Sequence, residues 1–362
     1  VNLFRRLPLY KLLLVCGLAI VIGISVTALA SAIGSGATPP PKPLAEAVHD
    51  ALSAPQVQGV SASVKLTNHL LEGANLASGG QGGAIASNPL VTGASGRLWI
   101  ANDGRVRLEL QAEKGDTEVL YDGKTVTVYD AATNTLYRYT VPAGSQTDTS
   151  SSHHEVPTVA KIEEAISHIK QHANLSGATP AEVAGQPAYT VRVSPKEGGS
   201  LIAGAELSFD SVHGVPLRAA VYSTSSAAPV IELAASEISY GPVNSSVFAF
   251  TPPSGAKIDE IKSSEATGTD KTGSSSDSSK PNVTTHGKGL SSVAVVESKS
   301  TGSQTSTSSA LEGLPKVDIN GTKASELRTA LGTVLSFERS GVRYVVGGAV
   351  TPGSVEEIAR GL

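Results

Sequence analysis

Arg97-Leu98-Trp99-Ile100-Ala101, Asn102-Asp103-Gly104, Arg105-Val106-Arg107-Leu108-Glu109-Leu110-Gln111: this stretch decides the fold. Val106, Leu108 and Leu110 alternate with Arg105, Arg107 and Glu109. A period of two puts one set of side chains in a core and the other in water, which is a half-buried strand. Asn102-Asp103-Gly104 is the turn that folds this strand back on Arg97–Ala101. The pattern then repeats. Thr117–Tyr121 and Thr125–Asp130 flank Asp122-Gly123, and Ala131–Asn134 turns the chain into Thr135–Val141. The result is an antiparallel meander of about five strands.

Upstream, Val60, Ala62, Val64 and Leu66 alternate with Ser61, Ser63, Lys65 and Thr67, so 57–71 is a strand. Before it, Leu44, Val48 and Leu52 recur at spacing four behind Pro43, the pattern of a short helix. Gly73–Gly93, with Gly79-Gly80-Gln81-Gly82-Gly83 inside it, reads as a flexible loop, since no strand–helix unit accompanies it. Downstream, Val159, Ile162, Ile166 and Ile169 form one stripe of a helix over Thr158–His172. Strands follow at 188–193, 204–210, 216–222, 229–240 and 246–250, with His213-Gly214 turning one pair. Residues 43–258 therefore read as a mainly antiparallel β unit with helices (α+β). Eight to eleven strands are expected, as a curved half-open β-barrel with helices covering its concave face.

The flanks are of other kinds. Leu12–Ile33 is an apolar run behind Arg5, Arg6 and Lys11, with Ala28-Leu29-Ala30 as a cleavage motif. Residues 1–33 are thus expected to be an export signal or a signal anchor, the body lying outside the cytoplasm, released or on the outer face of the membrane. Cys16, the single cysteine, is an apolar filler of that run, so the body uses neither disulfide nor Cys-ligated metal. Residues 34–42, with Pro39-Pro40-Pro41, form a stiff spacer. Residues 259–290 are Ser/Thr/Gly-rich and read as a disordered linker, and 300–310 repeat that composition. Residues 291–362 form a small α/β tail. In it a helix is expected at Ser325–Gly332, a hairpin turned at Ser340-Gly341, and a final helix capped by Thr351 with Val355, Ile358 and Ala359 inward. So short a tail has a marginal core and should dock on the body or pair with its edge.

A formal charge of -4 over 362 residues gives no electrostatic footprint for nucleic acid, and a monomer is expected. No Gly-x-Ser-x-Gly elbow and no His-Glu-x-x-His occurs. His153-His154 lies in a Ser-rich loop, and Glu163-Glu164 reads as the solvated face of a helix. Asn244, Asn282 and Asn320 match the glycan acceptor pattern, which is a weak signal. No catalytic, cofactor or metal site emerges, and no cofactor is expected.

What does emerge is a sheet with one face rich in apolar side chains and two main helices to cover it. An incompletely filled curved sheet leaves a cavity for an apolar ligand. Its candidate lining is Trp99, Leu108, Leu110, Val119, Tyr121, Val128, Tyr137, Tyr139, Val191, Leu207, Phe209, Val221 and Leu233. Val126, Leu217, Ile231 and Ile238 share the pattern.

The order of these elements, Val57-Gln58-Gly59 at the first strand and the closing Val247-Phe248-Ala249-Phe250-Thr251-Pro252-Pro253-Ser254-Gly255-Ala256 resemble the LolA-like lipoprotein-carrier superfamily, nearest its actinobacterial branch. The resemblance covers about 43–258. It implies a half-open antiparallel barrel whose hollow takes a lipid or the acyl chain of a lipoprotein, without enzymatic activity. Relatives in that superfamily also include an envelope-stress sensor, so the alternative is a regulatory module acting on a membrane protein. Carriers use an arginine at the lid. Arg97 and Arg107 are the nearest counterparts, but no motif aligns them and no role is carried over.

Overall fold

The computed structural model describes residues 38–71, 88–113, 115–141, 156–261, 282–299 and 314–362. Alternation becomes pairing wherever a tight turn joins two alternating segments. Thus β2 (Ala94–Ala101), β3 (Val106–Ala112), β4 (Gly115–Tyr121), β5 (Thr125–Asp130) and β6 (Thr135–Thr140) pair antiparallel in sequence, and β1 (Gly59–Asn68), from further upstream, pairs antiparallel with β2. The Asp122-Gly123 turn works through its carboxylate: Asp122 Oδ1 accepts from the amides of Lys124 (2.9 Å) and Thr125 (2.7 Å). The second meander comprises β7 (Ala173–Leu175), β8 (Thr179–Val183), β9 (Gln186–Pro195), β10 (Ile202–Asp210), β11 (Pro216–Ser223) and β12 (Pro229–Tyr240).

The two meanders are one sheet because the first strand of one pairs with the last of the other. Val60 lies opposite Tyr240 and Leu66 opposite Leu233 in β1–β12. With β13 (Lys257–Ile261) the sheet has thirteen strands, in the order β13-β6-β5-β4-β3-β2-β1-β12-β11-β10-β9-β7, with β8 also on β9. This exceeds the eight to eleven expected. The short β7 and β8 and the late β13 are too brief or too polar to show a period of two. β13 runs parallel to β6; the other pairings are antiparallel.

The segment 246–250, expected as a strand, is instead a 3-10 turn, Ser245–Phe248, capped by the Asn244 side chain on the Ser246 amide at 2.9 Å. It starts a strap that leaves β12, crosses β3 and ends as β13 beside β6. The Pro-rich end of the strap cannot donate to a ladder.

Helix α1 (Leu44–Ser53) buries Ala45 and Ala47, and Ala47 packs with Ala178, Tyr189 and Phe209. The turn His213-Gly214 meets its last turn. Gly214 has φ +67°, and a Cβ there would lie 2.3 Å from the Ala51 carbonyl oxygen, so only glycine fits. A one-turn helix α2 (Pro89–Thr92) places Leu90 against Val126 and Leu110's cluster. Helix α3 (Val159–His172) departs from expectation. Its partners are α1 and the edge strand β7, it buries Ile162 alone, and Ile169 stays 44% exposed. Helix cover on the apolar face therefore comes from α1 and α2, and α3 backs α1.

A second sheet, β14 (Asn282–His286), β15 (Val293–Lys299), β16 (Lys316–Ile319), β17 (Thr322–Thr329), β18 (Gly332–Arg339) and β19 (Val342–Gly348), has the order β14-β15-β19-β18-β17-β16. Helix α4 (Pro352–Arg360) covers it, with Val355 and Ala359 fully buried against Val295, Ile319, Leu335 and Val346. Thr351 precedes α4 as expected, though its hydroxyl meets Ser354 Oγ (3.0 Å) and caps no amide. Two expectations fail here. Asn282–His286 is a strand where a linker was expected. Ser325–Gly332 is strand and turn, not helix, because Asn320-Gly321, with φ +51° and +82°, makes a type I′ hairpin that commits the next residues to pairing. The sheets meet through main-chain bonds, Leu201 N to Ala349 O (2.7 Å) and Ala330 N to Leu70 O (3.1 Å).

Among the described residues no helix is long and apolar enough to cross a membrane. The Leu12–Ile33 run, Cys16, Gly79–Gly83, His153-His154, most of the expected linker and the 300–310 stretch lie outside them.

Candidate functional site

Register sorts the candidate lining by face. Tyr137 and Tyr139 on β6 lie opposite Val128 and Val126 on β5. These lie opposite Val119 and Tyr121 on β4, and Val119 lies opposite Leu108 on β3. The line continues through Leu98, Ala62 and Ile238. On the other side of β1 it runs from Leu66 to Leu233, Ala219, Leu207 and Val191, with Val221, Phe209 and Tyr189 in the same rows. Twelve of the thirteen candidates thus share one face, Leu110 included. Trp99 does not. It is opposite Ser61 and Arg107, on the other face, because its neighbours Leu98 and Ile100 take the core positions.

Sharing a face is not the same as lining a hollow. Leu108, Leu110, Val128 and Phe209 are buried core, Leu110 completely. Val119, Tyr121, Tyr137, Tyr139, Val191, Val221 and Leu233 are half-buried, and Leu207 is 43% exposed. A cleft of about 40 Å³ lies between β1–β2 and β11–β12, floored by Val60, Ala62, Leu98, Leu217, Leu233 and Ile238. With the solvent-open space above it the groove reaches about 520 Å³. The enclosed part is about one water's share of volume, well below the roughly 300 Å³ of a small-molecule pocket. Of the candidates, Leu233, Leu217 and Ile238 line it. The most open apolar surface on this face is elsewhere, on β9 and β10, where Leu207 and Val193 (38% exposed) flank half-buried Val191 and Val221.

The opposite face carries the ion pairs, although Leu120, Tyr129, Leu136 and Tyr222 on it are buried. Arg192, Glu206, Arg218 and Glu232 form a cross-strand ladder, with Arg192–Glu206 at 2.8 Å, Arg218–Glu206 at 2.9 Å and Arg218–Glu232 at 2.5 Å. Tyr222 donates to Glu206 at 2.6 Å, and Arg192 stacks over its ring. Burial opposes ionisation of Glu206, but hydrogen bonds from Tyr222, Arg218 and Arg192 outweigh it and lower its pKa to about 2. Arg107 is on this face too. It bonds the Val247 carbonyl (2.6 Å), Glu109 (2.6 Å) and Glu118 (3.0 Å), and Arg105 lies over Phe248. It holds the strap and faces away from the apolar side. Phe250 completes the strap against Tyr129, ring centres 5.5 Å apart. Arg97 shares the outward register.

One polar cluster escaped the sequence reading. Asp210, fully buried, accepts from the Val212 and His213 amides and from Tyr240 OH (2.5 Å), and meets His213 Nδ1 at 3.0 Å. Burial works against its charge, yet the bonds from His213 and Tyr240 hold its pKa below the usual carboxylate range. Burial first, then the Asp210 carboxylate, raises the Tyr240 phenol. An Asp-x-x-His-Gly turn was the available signal. The His ring and the phenol both spend a polar atom on one carboxylate. The arrangement pins the β10–β11 turn to β12, under α1.

Residues 85–156 match the family "Predicted periplasmic protein (DUF2092)". The chain is similar to that family there, and to LolA-superfamily and MucB structures along most of its length. MucB in complex with MucA(peri) is 13% identical over 87% of this chain and 94% of its own, TM-score 0.41. The MucA/MucB complex of Pseudomonas aeruginosa is 16% identical over 87% and 94%, TM-score 0.39. A LolA superfamily protein from Nitrosomonas europaea is 8% identical over 85% and 93%, TM-score 0.20. Among curated proteins none matches the chain.

Proposed function

We propose that this is a non-catalytic, extracytoplasmic binding protein that holds an acyl chain, of a lipid or a lipoprotein, against the apolar face of its large sheet. The observation that carries this is the division of faces. Twelve apolar candidates from eight strands share one side, and the ion-pair ladders take the other. The periplasmic description of the family matching 85–156 and the export-like start support the location. In this reading the sheet curls into a half-open barrel, α1 and α2 close one part, and the chain lies along Leu207, Val193, Val191 and Val221. Each buried methylene contributes about 0.8 kcal/mol, so selectivity for the head group is weak.

The test is solvent extraction and native mass spectrometry of the purified chain, with uptake of a fluorescent fatty acid. Acyl lipid should co-purify, and Leu207→Asp should lose uptake while staying folded. A ligand-free protein that takes up no fatty acid overturns the reading.

The 40 Å³ cleft favours a second reading, since it encloses no chain as it stands. In it the open apolar strands or the exposed edge of β13 bind a membrane protein, as a regulatory sensor would. Specific capture of one membrane protein, abolished by Leu207→Asp with no lipid bound, supports this alternative.

A further inference from the structure

We propose a second site, independent of the apolar face: an open metal site made by His168 and His172 on α3, for a late first-row divalent ion such as Cu2+, Ni2+ or Zn2+. The two residues are four apart in a regular helix, so they lie one above the other on the same stripe. Both are exposed, and their ring centres are 5.8 Å apart in an edge-to-face arrangement. Two imidazoles bound side by side to one ion at about 2.0–2.1 Å per nitrogen have ring centres on the order of 5 Å apart. A modest side-chain rotation closes the difference, and neither ring is held by a partner in the core.

The donor set chooses the ion. Neutral imidazole suits zinc, nickel and copper, with copper tightest by the general order of affinities, and does not suit magnesium or calcium. Among the described residues no third His, Cys, Asp or Glu completes the set. The ion would therefore keep exchangeable positions for water or an outside donor, as in a site open to a partner. Clipping one turn to the next also matters locally, because α3 buries Ile162 alone and ends at His172. Bound metal would hold its last turn against α1 and β7.

The experiment is calorimetric titration of the untagged full chain with Cu2+, Ni2+ and Zn2+ chlorides, and separately with Mg2+. One equivalent should bind, copper tightest, with no heat from Mg2+. His168→Ala and His172→Gln should each weaken binding at least ten-fold with an unchanged circular dichroism spectrum. The double variant H153A/H154A should bind as the parent does. Amide exchange at 169–172 should slow with metal in the parent and not in His168→Ala. Binding that survives both α3 variants, that disappears in H153A/H154A, or that is absent at millimolar metal overturns the proposal.

Discussion

Single side chains hold the strand ends and the water-facing side through charge-assisted bonds. Glu206 is ionised in the folded protein down to about pH 2, against about 4.5 unfolded. A depressed carboxylate contributes stability that is present above its unfolded pKa and is lost as pH falls toward the folded one. Asp210 is shifted in the same direction. Chemical denaturation at stepped pH should therefore show stability falling from about pH 4.5 toward pH 2, and Glu206→Gln should flatten that slope. At neutral pH the same change should cost about 1–3 kcal/mol, since it removes charged acceptors from Tyr222, Arg192 and Arg218. Tyr240→Phe should cost about 1–2 kcal/mol by the same measurement, because Asp210 stays buried with one donor fewer. The Asp210 cluster was hard to see in sequence because its third member, Tyr240, is thirty residues away from Asp210 and meets it only through strand pairing.

At the scale of elements, a shared period does not mean a shared fate. Leu110 and Leu207 have the same alternating context and face, yet one is fully buried and the other 43% exposed. Leu110→Ala should cost about 2–5 kcal/mol in urea unfolding. Leu207→Ala should cost well under that and instead weaken fatty-acid uptake. The strap gives a second contrast. Arg107→Ala frees the Val247 carbonyl and removes the hydrogen bond between 245–248 and β3. Exchange of amides in β13 and β6 should then speed up by at least ten-fold while those in β10 and β11 stay unchanged. Ser325–Gly332 reads as a helix in sequence because Glu326, Leu327 and Arg328 are good helix formers. Hairpin geometry at Asn320-Gly321 and pairing of Glu326 with Leu335 override that preference. Asn320, which in sequence shows only a glycan pattern, donates its side-chain amide to the Arg360 carbonyl at the end of α4.

For the molecule as a whole, the two sheets are joined among the described residues by few main-chain bonds, and each has its own buried cluster. Removing 282–362 leaves Leu70 O and Leu201 N to water, a small change for the large sheet. That truncation should retain fatty-acid uptake within about two-fold and keep a cooperative melt. Loss of both would mean that the second sheet holds the apolar face in shape.

The chain's own pattern determined most strands from β1 to β6 and β9 to β12, and the division of their side chains between core and water. Those rest on local alternation and on turns such as Asp122-Gly123, which act over a few residues. Tertiary structure alone decided three things. It paired β1 with β12, it sent the 241–256 segment across the outer face, and it left Leu207 and Val193 open while sealing Leu110. Each depends on which surface arrives from far along the chain. Local periodicity says which face is apolar, and only packing says how much of that face is covered.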